Sequence, residues 1–364
     1  MTPIRLLVLA AGLLVVAVVL WDAFEAVVLP RRVARRLRLV VIILRTTWRF
    51  WGKAGLRRPA GFRRETFLSY YGPLNLILLL VVWAAGLIVG FAMMQWGLGS
   101  PLVDPQGRAT FLTDLYFSGT NFFTIGLGDV SPRGWPGRAL TVIEGGTGFA
   151  FLALVIGYLP IFYQEFSRRE TRVTMLDGWA GSPPTAAALL FRLGRDDSLA
   201  VVSTFLEEWE LWCADMLESH LSYPILAYFR SQHSNQSWLA GITMVLDVCA
   251  LILAGVEGAP RHAAQRTFAM ARHTVVDLCQ VFAVAPRDPA EDRLPEAEFP
   301  RLEAMLARGG VRLTNGPKAA AALAHLRHFY EPYVAALSDL LLMSLPTWMP
   351  APGARDNWER SPWR

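Results

Sequence analysis

Cysteine is scarce, with only Cys213, Cys249 and Cys279 in a chain of 364 residues, and all three fall in its second half. No pairing framework and no CxxC spacing is available, which points to reduced, buried thiols in a cytosolic domain. Acidic residues are missing altogether from residues 31–64, a stretch with many arginines and one lysine. A nucleophile beside a readable base is missing too, so no enzymatic activity is expected. The first apolar run, residues 4–29, follows Arg5 as a signal peptide would. No small-residue cleavage site ends it, and Trp21, Asp22, Phe24 and Glu25 lead on toward Arg31 and Arg32, so it is expected to remain as an anchor.

What is abundant is apolar surface. Hydrophobic residues make up 53% of the chain and the formal net charge is +5, with a mean hydropathy of +0.33. This is too apolar for an ordinary soluble protein and too polar for one wholly inside a bilayer. A hydrocarbon core of ~30 Å needs about 20 apolar residues in helix. Residues 4–29, 74–96 and 139–162 qualify. The basic block at 31–64, between the first two runs, reads as a membrane-surface segment facing anionic lipid rather than a nucleic-acid site. It holds that loop in the cytoplasm and places the N-terminus outside; the third run then returns inward toward Arg168, Arg169 and Arg172. Residues 37–51 alternate an apolar run with Arg38, Arg45 and Arg49. The run is too short to span, so an interfacial amphipathic helix is expected rather than a voltage sensor.

Between the second and third runs lies Thr124-Ile125-Gly126-Leu127-Gly128-Asp129, preceded by residues 116–123, YFSGTNFF. Glycine at alternate positions suits a backbone that must adopt φ > 0. The hexapeptide resembles the selectivity filter of the potassium-channel pore family, of the two-transmembrane pore-loop prokaryotic type, here with an additional N-terminal span. The resemblance covers about residues 74–166. It implies that carbonyls of Thr124, Ile125, Gly126 and Leu127 replace the hydration shell of K⁺ as permeant ion, with no other cofactor, and that Asp129 closes the outer end. Because the family builds its pore from four such segments, the resemblance implies a homotetramer in the lipid bilayer of the inner (plasma) membrane.

The same resemblance assigns further roles. Residues 110–122 read as a pore helix, with Thr113 and Asp114 near its start as caps. Tyr116 and Phe117 stand in the aromatic cuff around the filter, and Thr120 stands where some members place an acid that braces the filter aspartate. Glu144, the one acid inside the third run, is expected to brace the pore helix and filter backbone, since burying it alone is costly. Gly148 matches the family's hinge glycine, Gly157 and Pro160 form a second flexible point, and Phe149, Leu152 and Ile156 form an apolar stripe that would line a cavity. Leu127 departs from the usual tyrosine, as Leu or Phe does in animal two-pore-domain potassium channels, and removes a phenolic hydrogen bond to the cuff.

After residue 170 the pattern is helical and soluble, with helices expected near residues 186–192, 198–220, 237–256, 263–282, 299–308 and 318–345. Phe205, Trp209 and Trp212 fit a core face. Residues 238–256 come close to a span, but Asp247 in their middle favours a buried core helix. No Gly-x-Gly-x-x-Gly follows a strand, so the nucleotide-binding domain of many prokaryotic potassium channels is not expected. His325, His328 and Glu331 could begin a metal site, though surface histidines are the simpler reading; Arg230, His233 and Gln236 could bind an anion. The fold class expected is an all-α membrane protein: an N-terminal transmembrane helix (1–30), a basic linker (31–66), a pore domain (67–169), an α-helical cytoplasmic domain (170–346) and a tail (347–364). The function expected is a potassium-selective channel gated by the cytoplasmic domain, which could take a small-molecule or protein regulator. The alternatives are a weakly selective cation channel and a membrane-anchored sensor with a vestigial pore.

Overall fold

The computed structural model describes residues 2–29, 39–103, 107, 109–195, 199–232, 236–314 and 316–353. The arginines at 31–38, residue 108 of the expected outer loop, His233 and most of the 347–364 tail lie outside them. The described chain is almost entirely helical and divides into two compact units, one of residues 1–50 and 73–164, the other of residues 51–72 and 165–364.

The first unit is built on α1 (Pro3–Ala23), most of α2 (Leu39–Leu56) and α4 (Tyr71–Gly97), the short α5 (Phe111–Phe122) and the first part of α6 (Gly134–Ala180). A π-helical turn, Phe24–Val28, follows α1. Small residues let α1 approach α4: a Cβ on Gly12 would lie 2.6 Å from the Gly90 carbonyl, and one on Gly86 would lie 2.9 Å from Val19. Gly86 and Gly90 form a G-x-x-x-G pair inside an apolar helix, the pattern that brings membrane helices into backbone contact. Asp22, buried near the end of α1, accepts hydrogen bonds from the Trp83 indole and from the amide of Leu39, both at 2.9 Å. One carboxylate therefore ties α1 to α4 and to the start of α2. On α2, Thr47 accepts from the Asn75 amide at 2.6 Å. A two-residue ribbon, β1 (Leu102–Val103) with β2 (Ser131–Pro132), runs antiparallel in the register Leu102↔Pro132.

The second unit contains α3 (Phe62–Ser69), the end of α6, and α7 (Ala186–Arg195), α8 (Val201–Ser222), α9 (Trp238–Gly255), α10 (Arg261–Phe282), α11 (Phe299–Arg308), α12 (Gly316–His328) and α13 (Glu331–Leu341). Ser237 caps α9 by accepting from the Ala240 amide at 3.0 Å. Apart from its last turn α9 is buried throughout, with α7, α8, α10, α12 and α13 around it. Phe205, Trp209 and Trp212 of α8 are buried as their spacing suggests. All three cysteines are buried and free.

One sequence expectation needs correction here. Residues 318–345 are not one helix: the chain breaks between His328 and Glu331, because Pro332 lacks an amide and disfavours helical geometry in its predecessor. Arg169, expected among the basic residues beyond the third run, is turned into the second unit. Its side chain is buried, donates at 2.8 Å to the carbonyls of Leu226 and Phe229, and pairs with Glu170 at 2.8 Å. His220 lies at 3.4 Å on the same guanidinium, and its other ring nitrogen donates to the Met216 carbonyl at 2.8 Å. Burial first, and then the Arg169 charge, push His220 down to about 3, so it is a neutral acceptor.

The buried acid of α9 has charged company. Asp247 pairs with Arg293 and accepts from the Tyr330 hydroxyl at 2.6 Å, while Arg293 also reaches Glu331 at 3.2 Å. Glu331 is further held by Arg327 at 3.0 Å. His325 packs edge-on against Phe329. Among the described residues no group of His, Cys, Asp or Glu is arranged to hold a metal ion.

Candidate pore and filter

The site begins with a well-capped short helix. Thr110 is the N-cap of α5, its hydroxyl accepting from the Thr113 amide at 3.4 Å while the Thr113 hydroxyl accepts from the Thr110 amide at 3.1 Å. Thr113 is thus the return half of a capping box. Asp114 is no cap: it is buried and accepts from Ser100 at 2.7 Å.

At its other end α5 gives way to the hexapeptide. The amides of Thr124 and Ile125 donate back to the carbonyls of Asn121 and Thr120, at 3.0 and 2.8 Å. Positive φ then recurs at alternate residues: Thr124 at 57°, Gly126 at 57° and Gly128 at 78°. Ile125 and Leu127 do not share it. A backbone that alternates hand in this way can turn successive carbonyls to one side instead of to opposite sides, as a strand would. The two glycines take the geometry freely. The third member of the series, Thr124, is β-branched, and nothing in its residue type announces φ > 0.

The brace on Asp129 comes from an unforeseen side chain. Tyr116 donates its phenolic hydrogen to Asp129 Oδ2 at 2.8 Å. Thr120, at the position of the bracing acid in some relatives, donates instead to the Phe117 carbonyl within its own helix, at 3.0 Å. Phe117 is buried, while Tyr116, Ile125 and Leu127 remain exposed in a single chain.

Glu144 is completely buried on α6 and faces α5. It contacts the Ser118 hydroxyl and accepts from Asn121 Nδ2 at 3.3 Å, and that same nitrogen donates to the Thr141 carbonyl at 2.9 Å. Ser118 Oγ lies 2.8 Å from the Ile88 carbonyl as well, so α4, α5 and α6 meet at one hydroxyl. The partners of Glu144 are thus side chains of the pore helix, with no filter amide among them. Gly148 has a packing duty beside any hinge role, since a Cβ there would sit 2.0 Å from the Phe122 carbonyl oxygen. Gly157 has open space around it, and α6 continues as helix through Gly157 and Pro160. Phe149, Leu152 and Ile156 are exposed in the single chain. Leu152 also joins Phe122, Thr124 and Gly148 around an apolar cavity of about 240 Å³ between α4, α5 and α6.

This geometry is matched by similarity to known proteins. Residues 77–165, which contain the helix, the hexapeptide, Glu144 and Gly148, match the family described as Ion channel. A second similarity extends well beyond it: the chain is 24% identical over 259 residues to the uncharacterized membrane protein YdjJ of Bacillus subtilis (strain 168), covering 70% of this chain and 73% of that protein. No solved structure matches. With three long helical stretches whose apolar faces are largely uncovered, Pro3–Val27, Phe62–Gly97 and Gly134–Ala180, the protein is an all-α, multi-pass membrane protein, and its residues 77–165 are similar to the ion-channel family.

Proposed function

We propose that this protein is a potassium-selective channel in which four chains contribute one hexapeptide each to a shared axis. The observation that carries the reading is the alternation of φ > 0 at Thr124, Gly126 and Gly128, the backbone form in which neighbouring carbonyls face one way. Carbonyls of Thr124, Ile125, Gly126 and Leu127 would coordinate K⁺, and Asp129, held by Tyr116, would sit at the outer mouth. Glu144, through Ser118 and Asn121, fixes the pore helix against α6. Gly148, Gly157 and Pro160 would let α6 bend, and the exposed Phe149, Leu152 and Ile156 would line the cavity below, where an apolar constriction gates by dewetting. In this reading the chain is a conduit and not an enzyme, with its N-terminus outside and residues 170–346 in the cytoplasm of a cell whose plasma membrane it crosses.

The test is purified full-length protein in liposomes. K⁺ flux and a native mass of four chains are expected, and Gly126→Ala should abolish flux, because an added Cβ at φ 57° favours a different backbone. A monomeric or dimeric mass, or no K⁺ flux at any pH or voltage, overturns the proposal.

Leu127 favours a second reading, a pore that conducts monovalent cations with little selectivity. Its side chain is exposed and has no hydrogen-bonding group to anchor the filter from outside. Bi-ionic reversal potentials separate the two readings, and Leu127→Tyr should sharpen the preference for K⁺ only if the second is right.

A further inference from the structure

Within the second unit, α3, the turn before α9 and the segment after α13 enclose a cavity of about 390 Å³. That size is within the range of small-ligand sites. Its polar lining is unusual for a cavity with no partner inside. Gln236 is 7% exposed, and neither its amide oxygen nor its amide nitrogen has a hydrogen-bond partner among the described residues. Ser231 Oγ beside it is likewise buried and unpartnered. Leaving such groups unpaired opposes folding, so a glutamine held there without a partner is a standing penalty unless something enters to meet it.

The charge around the cavity gives the sign of what enters. Arg230, whose side chain is 6% exposed, lines it and is held by the Leu342 carbonyl at 3.0 Å, by the Leu341 carbonyl at 2.5 Å and by Glu65 at 3.3 Å. Its Nε is still unsatisfied. Burial pulls the guanidinium's pKa down; Glu65 opposes this, and the positive charge of Arg64 adds to it. The first turn of α9, an 18-residue helix whose N-cap Ser237 also lines the cavity, contributes the positive end of its dipole.

We propose that this cavity is a binding site for a small anion, carboxylate or phosphate in class, whose charge meets Arg230 and the start of α9 and whose polar edge is read by Gln236. The site also has a route to the pore. Glu65 lies on α3, and α3 ends at Ser69, two residues before α4, the helix that enters the ion-channel segment. An anion that takes Arg230 from Glu65 releases a contact on the chain leading directly into that helix. This consequence rests on the channel reading, whereas binding itself does not.

Binding is read on detergent-solubilised full-length protein by thermal stability and by titration calorimetry, with inorganic phosphate and succinate as separate probes. At least one should stabilise the protein saturably. The probe that binds identifies the source class. Gln236→Met, close in volume, should raise the melting temperature of the empty protein, because it removes an unmet amide, yet weaken the probe by about tenfold. A glutamine with a purely structural role would show neither opposite change. Glu65→Gln should tighten the anion severalfold, since it frees Arg230 and removes a negative charge. No stabilisation by either probe at millimolar concentration, binding unchanged by Gln236→Met, or binding loosened by Glu65→Gln overturns the site. In liposomes, flux that responds to the probe in the wild type but not in Gln236→Met supports the route to α4, and flux indifferent to a bound probe overturns it. A protein that binds the probe and passes no ion leaves the site standing and sinks the channel reading alone.

Discussion

Helices α6 and α9 have nearly the same hydropathy in their most apolar 18-residue windows, 1.9 and 2.0, and opposite surroundings: 17% of the first window is buried within the protein and 83% of the second. Each also carries a completely buried acid, Glu144 on α6 and Asp247 on α9. Glu144 on α6 is met by a hydroxyl and an amide. Asp247 on α9 is met by a full positive charge and a phenol. Apolar content alone therefore does not distinguish a helix whose apolar face awaits lipid or another chain from one already enclosed by its own unit. The partners of the acid do. A membrane helix can offer a carboxylate neutral donors from its neighbours, because a lone arginine at that depth would need a counter-charge of its own. A soluble core can bring an arginine in from a loop, as Arg293 comes from the segment before α11.

The strongest way to break this comparison is Asp247→Ala. It leaves Arg293, which is 9% exposed at its side chain, with Glu331 as its one carboxylate among the described residues, and removing one partner of a buried pair costs about 3–5 kcal/mol. A large fall in the melting temperature of the solubilised protein, with the pore helices still formed by circular dichroism, is the expected result. A fall of less than 1 kcal/mol would mean that α9 is not the enclosed helix described above.

Much of this contrast was legible in the residues and some was not. Asp247 in the middle of residues 238–256 marked a core helix, and the alternate glycines of the hexapeptide marked two positions of positive φ. Gly86 and Gly90 were equally legible as a packing pair, had the second apolar run been read for small residues four apart. The break before α13 was announced by Pro332. Contacts that depend on how a non-repeating backbone folds were out of reach. Tyr116 meets Asp129 only because the intervening residues adopt alternate hands, and Arg169 turns inward only because the loop after α8 presents its carbonyls. No periodicity encodes either one.

A middle-sized effect sharpens the enclosed side of the comparison. His220 titrates at about 3 when folded and near 6.5 when unfolded. Above 6.5 it is neutral in both states and contributes full stability; as pH falls below that, the unfolded chain takes up a proton the folded chain refuses. Stability should drop by about 1.4 kcal/mol per pH unit from this group as pH falls from 6.5 toward 3. His220→Gln should flatten that slope by one proton's worth, read as melting temperature against pH for the two proteins side by side. An unchanged slope would mean the ring is not held as a neutral acceptor for Arg169.

The smallest effect is expected at the membrane unit's exposed end. Tyr116→Phe removes one hydrogen bond between exposed groups, so the protein should fold normally and, on the channel reading, still conduct. The change should appear as a few-fold loss of current through a filter whose outer aspartate has lost its tether. A variant that conducts as the wild type does would move the brace of Asp129 elsewhere.

Thr124 shows which property of a residue this position retains. A non-glycine residue at φ 57° holds backbone strain on the order of 1–3 kcal/mol, and glycine would adopt the same backbone with none. If backbone shape were all the position had to supply, Thr124→Gly would be the better choice. A side chain kept in spite of that penalty is kept for its own chemistry, and the hydroxyl is the only polar group it has.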